Sequence, residues 1–325
     1  MEESRRSTAA PAVRSDANPT VDMEESRRST AAPAVRSDAN PTVDMVRPRG
    51  GRYGEQVIDS GTPAVGQLLR DWRTRRRLSQ LDLSSAAGIS SRHLSFVETG
   101  RSRPSREMVL HLADQLDVPL RDRNALLIAG GFAPTFHATD FHAPEMQPVR
   151  DAVDRLLAAH EPYPAILVDR RWTLMAANNA AIVLVDGVAP ELLDAPCNVL
   201  RATLHPDGLS SRIQNLDEWF DHILGNLRRQ VAVTGDEDLR ALTDELMGYA
   251  NELGVVVPPP HEGSGAIAIP MRLRTDDGEL AFITMLATFG TALDITLTEL
   301  TIETFLPADA ATAAALQRRF GVLTV

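Results

Sequence analysis

The stretch LSQLDLSSAAGISSRHLSFVETGRSRPS, residues 78–105, decides the fold around it, because capping residues and glycines break its apolar stripes into short pieces. Ser79 is placed to cap a helix running through Ala87, and Asp82 at its third position makes a near capping box. Gly88 follows where a tight turn needs positive φ. Ser90 caps the next helix, turning Leu94 and Val97 inward and Ser91, Arg92 and Ser95 outward, and Pro104 and Ser105 open another. Upstream, Val65, Leu68, Leu69 and Trp72 form one stripe on a first helix that ends near Arg77. Downstream, Met108, Val109, Leu112 and Leu116 face inward on a fourth helix stopped by Asp117, Val118 and Pro119, and a fifth runs from Arg121 to Ala129 before Gly130 and Gly131. Five short helices in so little chain predict a compact all-α domain.

The charge is segregated around this region. Residues 64–130 hold 11 Arg against 7 acidic side chains, whereas residues 131–325 hold 13 Arg against 27, within a chain of formal net charge −11. Such asymmetry implies two modules with different partners. A chain of 325 residues, 43% hydrophobic, is long enough for two cores. Residues 1–22, MEESRRSTAAPAVRSDANPTVD, recur unchanged as 23–44; with almost no large apolar residue, the segment 1–63 is expected to be a disordered duplicated tail and linker. The longest apolar run, Leu280 to Leu293, is too short to span a membrane and contains three threonines, so it reads as strand. No apolar signal-peptide region develops near the N-terminus, which implies a cytoplasmic address. The single cysteine, Cys197, excludes an intramolecular disulfide and a multi-cysteine metal cluster.

The quoted stretch resembles the helix-turn-helix of the lambda-repressor-like XRE family of bacterial regulators: Ser79 and Gln80 open its second helix, Gly88 lies in the turn, and Glu98, Gly100 and Pro104 follow its third. The continuation SREMVLHLADQLDVPLRDRNALLIAGGFAP is similar to the MmyB-like branch, and the likeness covers residues 64–136. It implies that the third helix enters the major groove of double-stranded DNA with Ser90, Ser91, Arg92 and His93 against base edges. Arg92 has the fork that pairs with guanine O6 and N7. Gln80, Arg101 and Arg103 suit phosphates, and Ser95 a base or the backbone. Phe96 either meets a thymine methyl or packs on the fourth helix. Glu98, which DNA would repel, is expected to pair inside the domain with Arg70 or Arg73.

The second module begins with a helical pattern, Val149 to His160, followed by EPYPAILVD and RRWTLMAAN, which read as a hairpin about a two-residue turn. Helical patterns follow over Asn179 to Val185, Cys197 to Leu204, Ser211 to Val231 and Glu237 to Leu253. Alternation at Ile267, Ile269, Met271 and Leu273, a turn at Asp277 and Gly278, and the runs Leu280 to Phe289 and Leu297 to Leu306 predict three more strands. The expectation is an α+β domain with one antiparallel sheet and its helices on one side. VDRRWTLMAANNAA and NVLRATLHPDGL resemble the PAS-like ligand-binding domain of MmyB-like regulators over residues 149–320. The resemblance implies a pocket between sheet and helices for a fatty-acid-like or other small apolar effector. Met175, Leu200, Leu204, Trp219, Phe220, Ile223, Phe282 and Met285 either line it or fill a core, and Arg201 with His205 either faces a ligand carboxylate or forms a surface pair.

The acidic half carries no catalytic signature. His205, His222 and His261 lack metal spacing, and neither a phosphate-binding glycine loop after a strand nor a GxSxG elbow occurs. Cys197 and His205 would lie about two turns apart on a helix. No enzyme, cofactor or metal is therefore expected. The reading is a cytoplasmic transcriptional regulator, by default a repressor and a homodimer. The competing one is an antitoxin-like or adaptor protein whose C-terminal domain binds a protein.

Overall fold

The computed structural model describes residues 64–257, 268–276, 278–290 and 292–321. The duplicated segment and linker to residue 63, and the positions Ile267, Asp277 and His261, lie outside the described residues. Five helices open the described chain: α1 (Val65–Arg75), α2 (Gln80–Ala86), α3 (Ser91–Glu98), α4 (Arg106–Gln115) and α5 (Leu120–Ala129). Three of them start as their caps dictate. Ser79 accepts from Asp82 N at 3.1 Å while Ser79 N donates to Asp82 Oδ2 at 2.9 Å, closing a full capping box. Ser90 accepts from His93 N and Ser105 from Met108 N. Gly88 takes φ +65° in the turn between α2 and α3, leaving α3 to cross α2 instead of continuing it.

Leu69, Leu83, Leu94, Leu112, Leu116 and Leu127, one or more from every helix, meet in a fully buried cluster. Each contributes roughly 1.5 to 3 kcal/mol by leaving water. Where α1 crosses the end of α3, Gly66 is the contact: a Cβ there would stand 2.2 Å from Val97 O and 2.9 Å from Glu98 O. No side chain fits that gap, so the close crossing depends on glycine.

The second domain follows as α6 (Gln147–Ala159), β1 (Ala165–Val168), β2 (Leu174–Ala177), a 3-10 helix at Asn179–Leu184, α7 (Pro190–Leu193), α8 (Val199–Leu204), α9 (Leu216–Thr234) and α10 (Glu237–Glu252). Then come β3 (Met271–Thr275), β4 (Gly278–Thr288), α11 (Ile295–Thr298), β5 (Thr301–Pro307) and α12 (Ala310–Phe320). The five strands form one antiparallel sheet in the order β2-β1-β5-β4-β3, so the last strand sits in the middle. β3 pairs with β4 only over residues 278–282, and β4 from Ile283 to Thr288 is paired by β5 alone.

Three expectations are corrected. The helices are not confined to one side: on β1, Ile166 and Val168 join the core under α8, α9 and α10, while Ala165 and Leu167 join a second core with Val153 and Leu157 of α6. Successive strand residues point to opposite faces, so the sheet is covered on both. The β1–β2 connection is longer than two residues, because Asp169 Oδ1 accepts from Arg171 N and Thr173 N and wraps the turn around its own carboxylate. Leu297 lies in α11, capped by Asp294, rather than in a strand, and β3 begins at Met271, beyond Ile269.

Gly66→Ala should destabilise the helical domain by at least about 2 kcal/mol, since backbone rather than a mobile side chain must yield. Thermal unfolding compared with Gly248→Ala, whose Cβ meets open space, checks this.

Candidate functional site

On α3 the half-exposed ring of Phe96 lies between two guanidinium groups, Arg92 at 5.3 Å and Arg101 at 6.0 Å from its centroid. Arginine stacked on an aromatic face loses part of its motion while its N–H fork stays free to donate. Arg92 and Arg101 have no hydrogen bond or ion pair among the described residues, and His93 and Ser95 lie on the same short helix, partly exposed. Phe96 is not among the side chains packed in the cluster with the fourth helix; it carries two arginines.

The structure separates the remaining candidates. Ser90 spends its hydroxyl on the α3 cap. Ser91 does not point outward: its Oγ lies 3.0 Å from Ser84 Oγ, binding α3 to α2. Gln80 turns inward, its Nε2 donating to Glu98 Oε2 at 2.8 Å, and Arg103 donates to Gly130 O at 3.1 Å beyond the end of α5. These three polar groups are taken by partners within the domain: a hydroxyl, a buried carboxylate and a backbone carbonyl.

Glu98 is the acceptor that turns Gln80 inward. It is 6% exposed, and Arg73 grips it with two bonds, Nε to Oε1 at 2.6 Å and Nη2 to Oε2 at 2.9 Å. Of the two partners expected, Arg73 is the one that forms the pair. Burial pushes the carboxyl up, but the bonds from Arg73 and Gln80 and the positive charge beside it hold it below the ordinary carboxylate range.

In the sheet domain Leu200, Leu204, Trp219, Phe220, Ile223 and Phe282 share one buried cluster beneath α8 and α9. Met175 and Met285 are not part of it. Met175 packs in the opposite core, and Met285, on the same face by strand alternation, is 50% exposed. Arg201 is held bidentately by Glu245 at 2.7 and 2.8 Å, and Tyr249 and His205 stack edge to face beside it, so a protein carboxylate occupies the fork expected to meet a ligand. An open depression of about 520 Å³ between Gly187–Pro190 and Pro206–Ser211 includes none of the expected ligand residues.

Sequence reasoning missed Glu303. It lies at the middle of β5, on the same face as Phe282 and Phe305, facing Ile166 of β1 on one side and Leu286 of β4 on the other. Desolvation by its apolar neighbours pushes its carboxyl up to about 7, although the residue is only half-buried. The signal was an acid inside an otherwise apolar strand, TIETFLP.

The two domains touch through polar groups. Arg121 of α5 holds Glu299 with two bonds of 2.7 Å. Arg75 and Arg76, stacked on Trp72, donate to Thr234 O and Val233 O at the C-terminus of α9, each at 3.2 Å. Arg76 also donates to Leu116 O and Asp117 O at the end of α4.

Residues 64–126 match a family model described as a helix-turn-helix domain, and residues 149–318 match one described as the MmyB-like transcription regulator ligand binding domain. No curated protein matches the chain.

Two acids give opposite pH signatures. Glu98→Gln strips the counterion from half-buried Arg73 and should cost about 3 kcal/mol at neutral pH. Because the Glu98 pKa is depressed on folding, its stabilisation is present above the unfolded carboxylate value and lost as pH falls through the folded one. Urea titrations should therefore show the gap between variant and wild type closing in acid. Glu303 is raised instead, so folding favours its protonated form and stability falls as pH climbs from the ordinary carboxylate value through about 7. Glu303→Gln should raise Tm near pH 8 and leave it unchanged near pH 5.

Proposed function

This chain belongs to the MmyB-like transcription regulator family, and from that premise we propose that it is a sequence-specific repressor, reading DNA with residues 64–136 and sensing a small molecule with residues 149–320. DNA binding and ligand binding are what its two domains are for; the sign of regulation, the dimer, the cytoplasmic address and the ligand's nature are the reading offered. Among the described residues no helix is long and apolar enough to cross a membrane. The matched families are regulatory domains rather than enzymes, and we assign the chain no catalysis.

The observation that carries this reading is the Arg92–Phe96–Arg101 stack on the exposed side of α3. Arg92, one residue beyond the start of the recognition helix, is assigned to base readout, with Ser90, His93 and Ser95 around it; Arg101, in the loop after it, is assigned to a phosphate. Gln80, Ser91 and Arg103 are assigned a lesser part, holding the helices that present Arg92, with any phosphate contact made by the atoms left over. Two copies would read half-sites about one helical turn apart. The effector has a largely apolar body, as a fatty-acid-like molecule does, and acts by binding one arrangement of the two domains better than the other.

Fluorescence anisotropy on DNA from upstream of its own gene, against a scrambled duplex at two salt concentrations, tests the assignment. Arg92→Ala should lose about 1 to 3 kcal/mol on the preferred duplex only, whereas Arg101→Ala should weaken both duplexes alike and lower the salt slope by about one. Equal weakening by both variants would demote Arg92 to a phosphate clamp. No binding at either salt would favour the adaptor reading, in which the C-terminal domain takes a protein partner.

A further inference from the structure

The outer half of β4 is an open edge of the sheet. β3 pairs with β4 no further than Met271 opposite Phe282, so from Ile283 to Thr288 the strand is bonded, among the described residues, by β5 alone. Which backbone groups this leaves over follows from the ladder. Ala308 N donates to Ala281 O at 2.8 Å on the β5 side, and alternation therefore turns the N–H and C=O groups of Ile283, Met285 and Ala287 to β5 as well. Those of Thr284, Leu286 and Thr288 point the other way, to the edge that β3 has left.

An edge that stays single is ordinarily blunted by a charge, a proline, a bulge or a covering segment. This one has none of the first three: residues 280–293 contain no charged residue and no proline, and the register with β5 runs without a shift. Apolar side chains also stand exposed on both faces, Ile283 and Met285 (39% and 50%) on one and Leu286 (45%) on the other. The order of residues along the free edge is the telling feature. Thr284, Leu286 and Thr288 read Thr, Leu, Thr in either direction, and on the alternate face a large residue, Met285, and a small one, Ala287, lie equally far to either side of Leu286. A strand with that symmetry matches its own copy run backwards.

We propose that the partner of this edge is β4 of a second copy of the chain, added antiparallel so that two five-stranded sheets become one. The inference rests on the reading of the chain as a dimer on two half-sites and names the surface that makes it. The unused backbone groups fix the register. A two-fold axis at Leu286 sets Leu286 against Leu286 of the second copy and Thr284 against its Thr288, closing about six hydrogen bonds. Leucine then meets leucine and threonine meets threonine on one face, while Met285 meets Ala287 on the other, pairs that favour a ladder. Identical edges bring no like charges together here, although residues 131–325 as a whole hold 13 Arg against 27 acids. Such a contact uses the same patch on both copies and stops at two.

Sedimentation velocity of the full chain without DNA tests it. Wild type should sediment as a dimer at micromolar concentration. Leu286→Lys and Leu286→Glu, at an exposed position where folding is preserved, each set like charges face to face on the axis and should weaken self-association at least about tenfold. An equimolar mixture of the two should recover it, because Lys then faces Glu. Ile182→Lys, at an exposed apolar position away from the sheet, should leave it unchanged. A monomeric wild type, single variants that associate as wild type does, or a mixture no tighter than either variant overturns the proposal. If two copies then still occupy the preferred duplex, the dimer reading stands without this surface; one copy per duplex overturns both.

Discussion

A carboxylate taken out of water at the end of the recognition helix is the constraint on which the reading head depends. Once Glu98 is buried it must be satisfied, and the geometry that satisfies it brings α1 through Arg73, α2 through Gln80 and α3 through Glu98 itself to one point. Arg73 carries its remaining fork to Leu78 O, so the same guanidinium also fixes the entry into α2. Gly66 then lets α1 approach the backbone of α3 closely enough for that reach to be made. Apolar burial supplies most of the energy, but it does not specify direction; the ion pair does. Arg92 on α3 and Arg101 in the loop after it are aimed by an interior charge they never touch.

The sheet domain meets the opposite case. Glu303, on the middle strand, is an acid only half shielded from water by apolar neighbours, and among the described residues nothing bonds its carboxylate. Local choices that agree with the fold are what make a sequence fold; a residue that disagrees with its surroundings marks a place where something other than folding is served. The two carboxylates differ by partner, not by burial alone, and the direction in which each titrates records the difference.

Much of the helical domain was legible because its signals are local. Ser79, Ser90 and Ser105 announce helix starts, and Gly88 announces the turn, through bonds spanning only a few residues. The choice of Arg73 over Arg70 as partner of Glu98 was not legible, nor was the loss of Gln80, Ser91 and Arg103 to neighbours in the domain, because those depend on which acceptor lies nearest in space. In the sheet domain the order and type of elements could be read, but not the faces. β1 is AILV, buried at all four positions, and a strand covered on both sides carries no alternation by which to tell one face from the other. Hence Met175 and Met285 were grouped with Phe282, from which the pleat separates them. Leu297 went to a strand because four apolar or β-branched residues, ITLT, look alike in either state until Asp294 caps them.

The arginines that join the two domains set how easily one turns on the other. None of the three buried clusters, one around Leu94, one under α9 and one under α6, crosses from the head into the sheet domain. Rotation therefore opens none of these clusters; it exchanges bonds from Arg75, Arg76 and Arg121 for bonds to water. Arg76 keeps its hold on the end of α4 even when it releases α9, so the head stays intact while it swings. Ionic strength weakens such contacts over about a Debye length, and it weakens the grip of arginine on phosphate by similar physics. The posture of the head and its attraction to a polyanion thus share one control variable, and a measured salt dependence of DNA binding contains both.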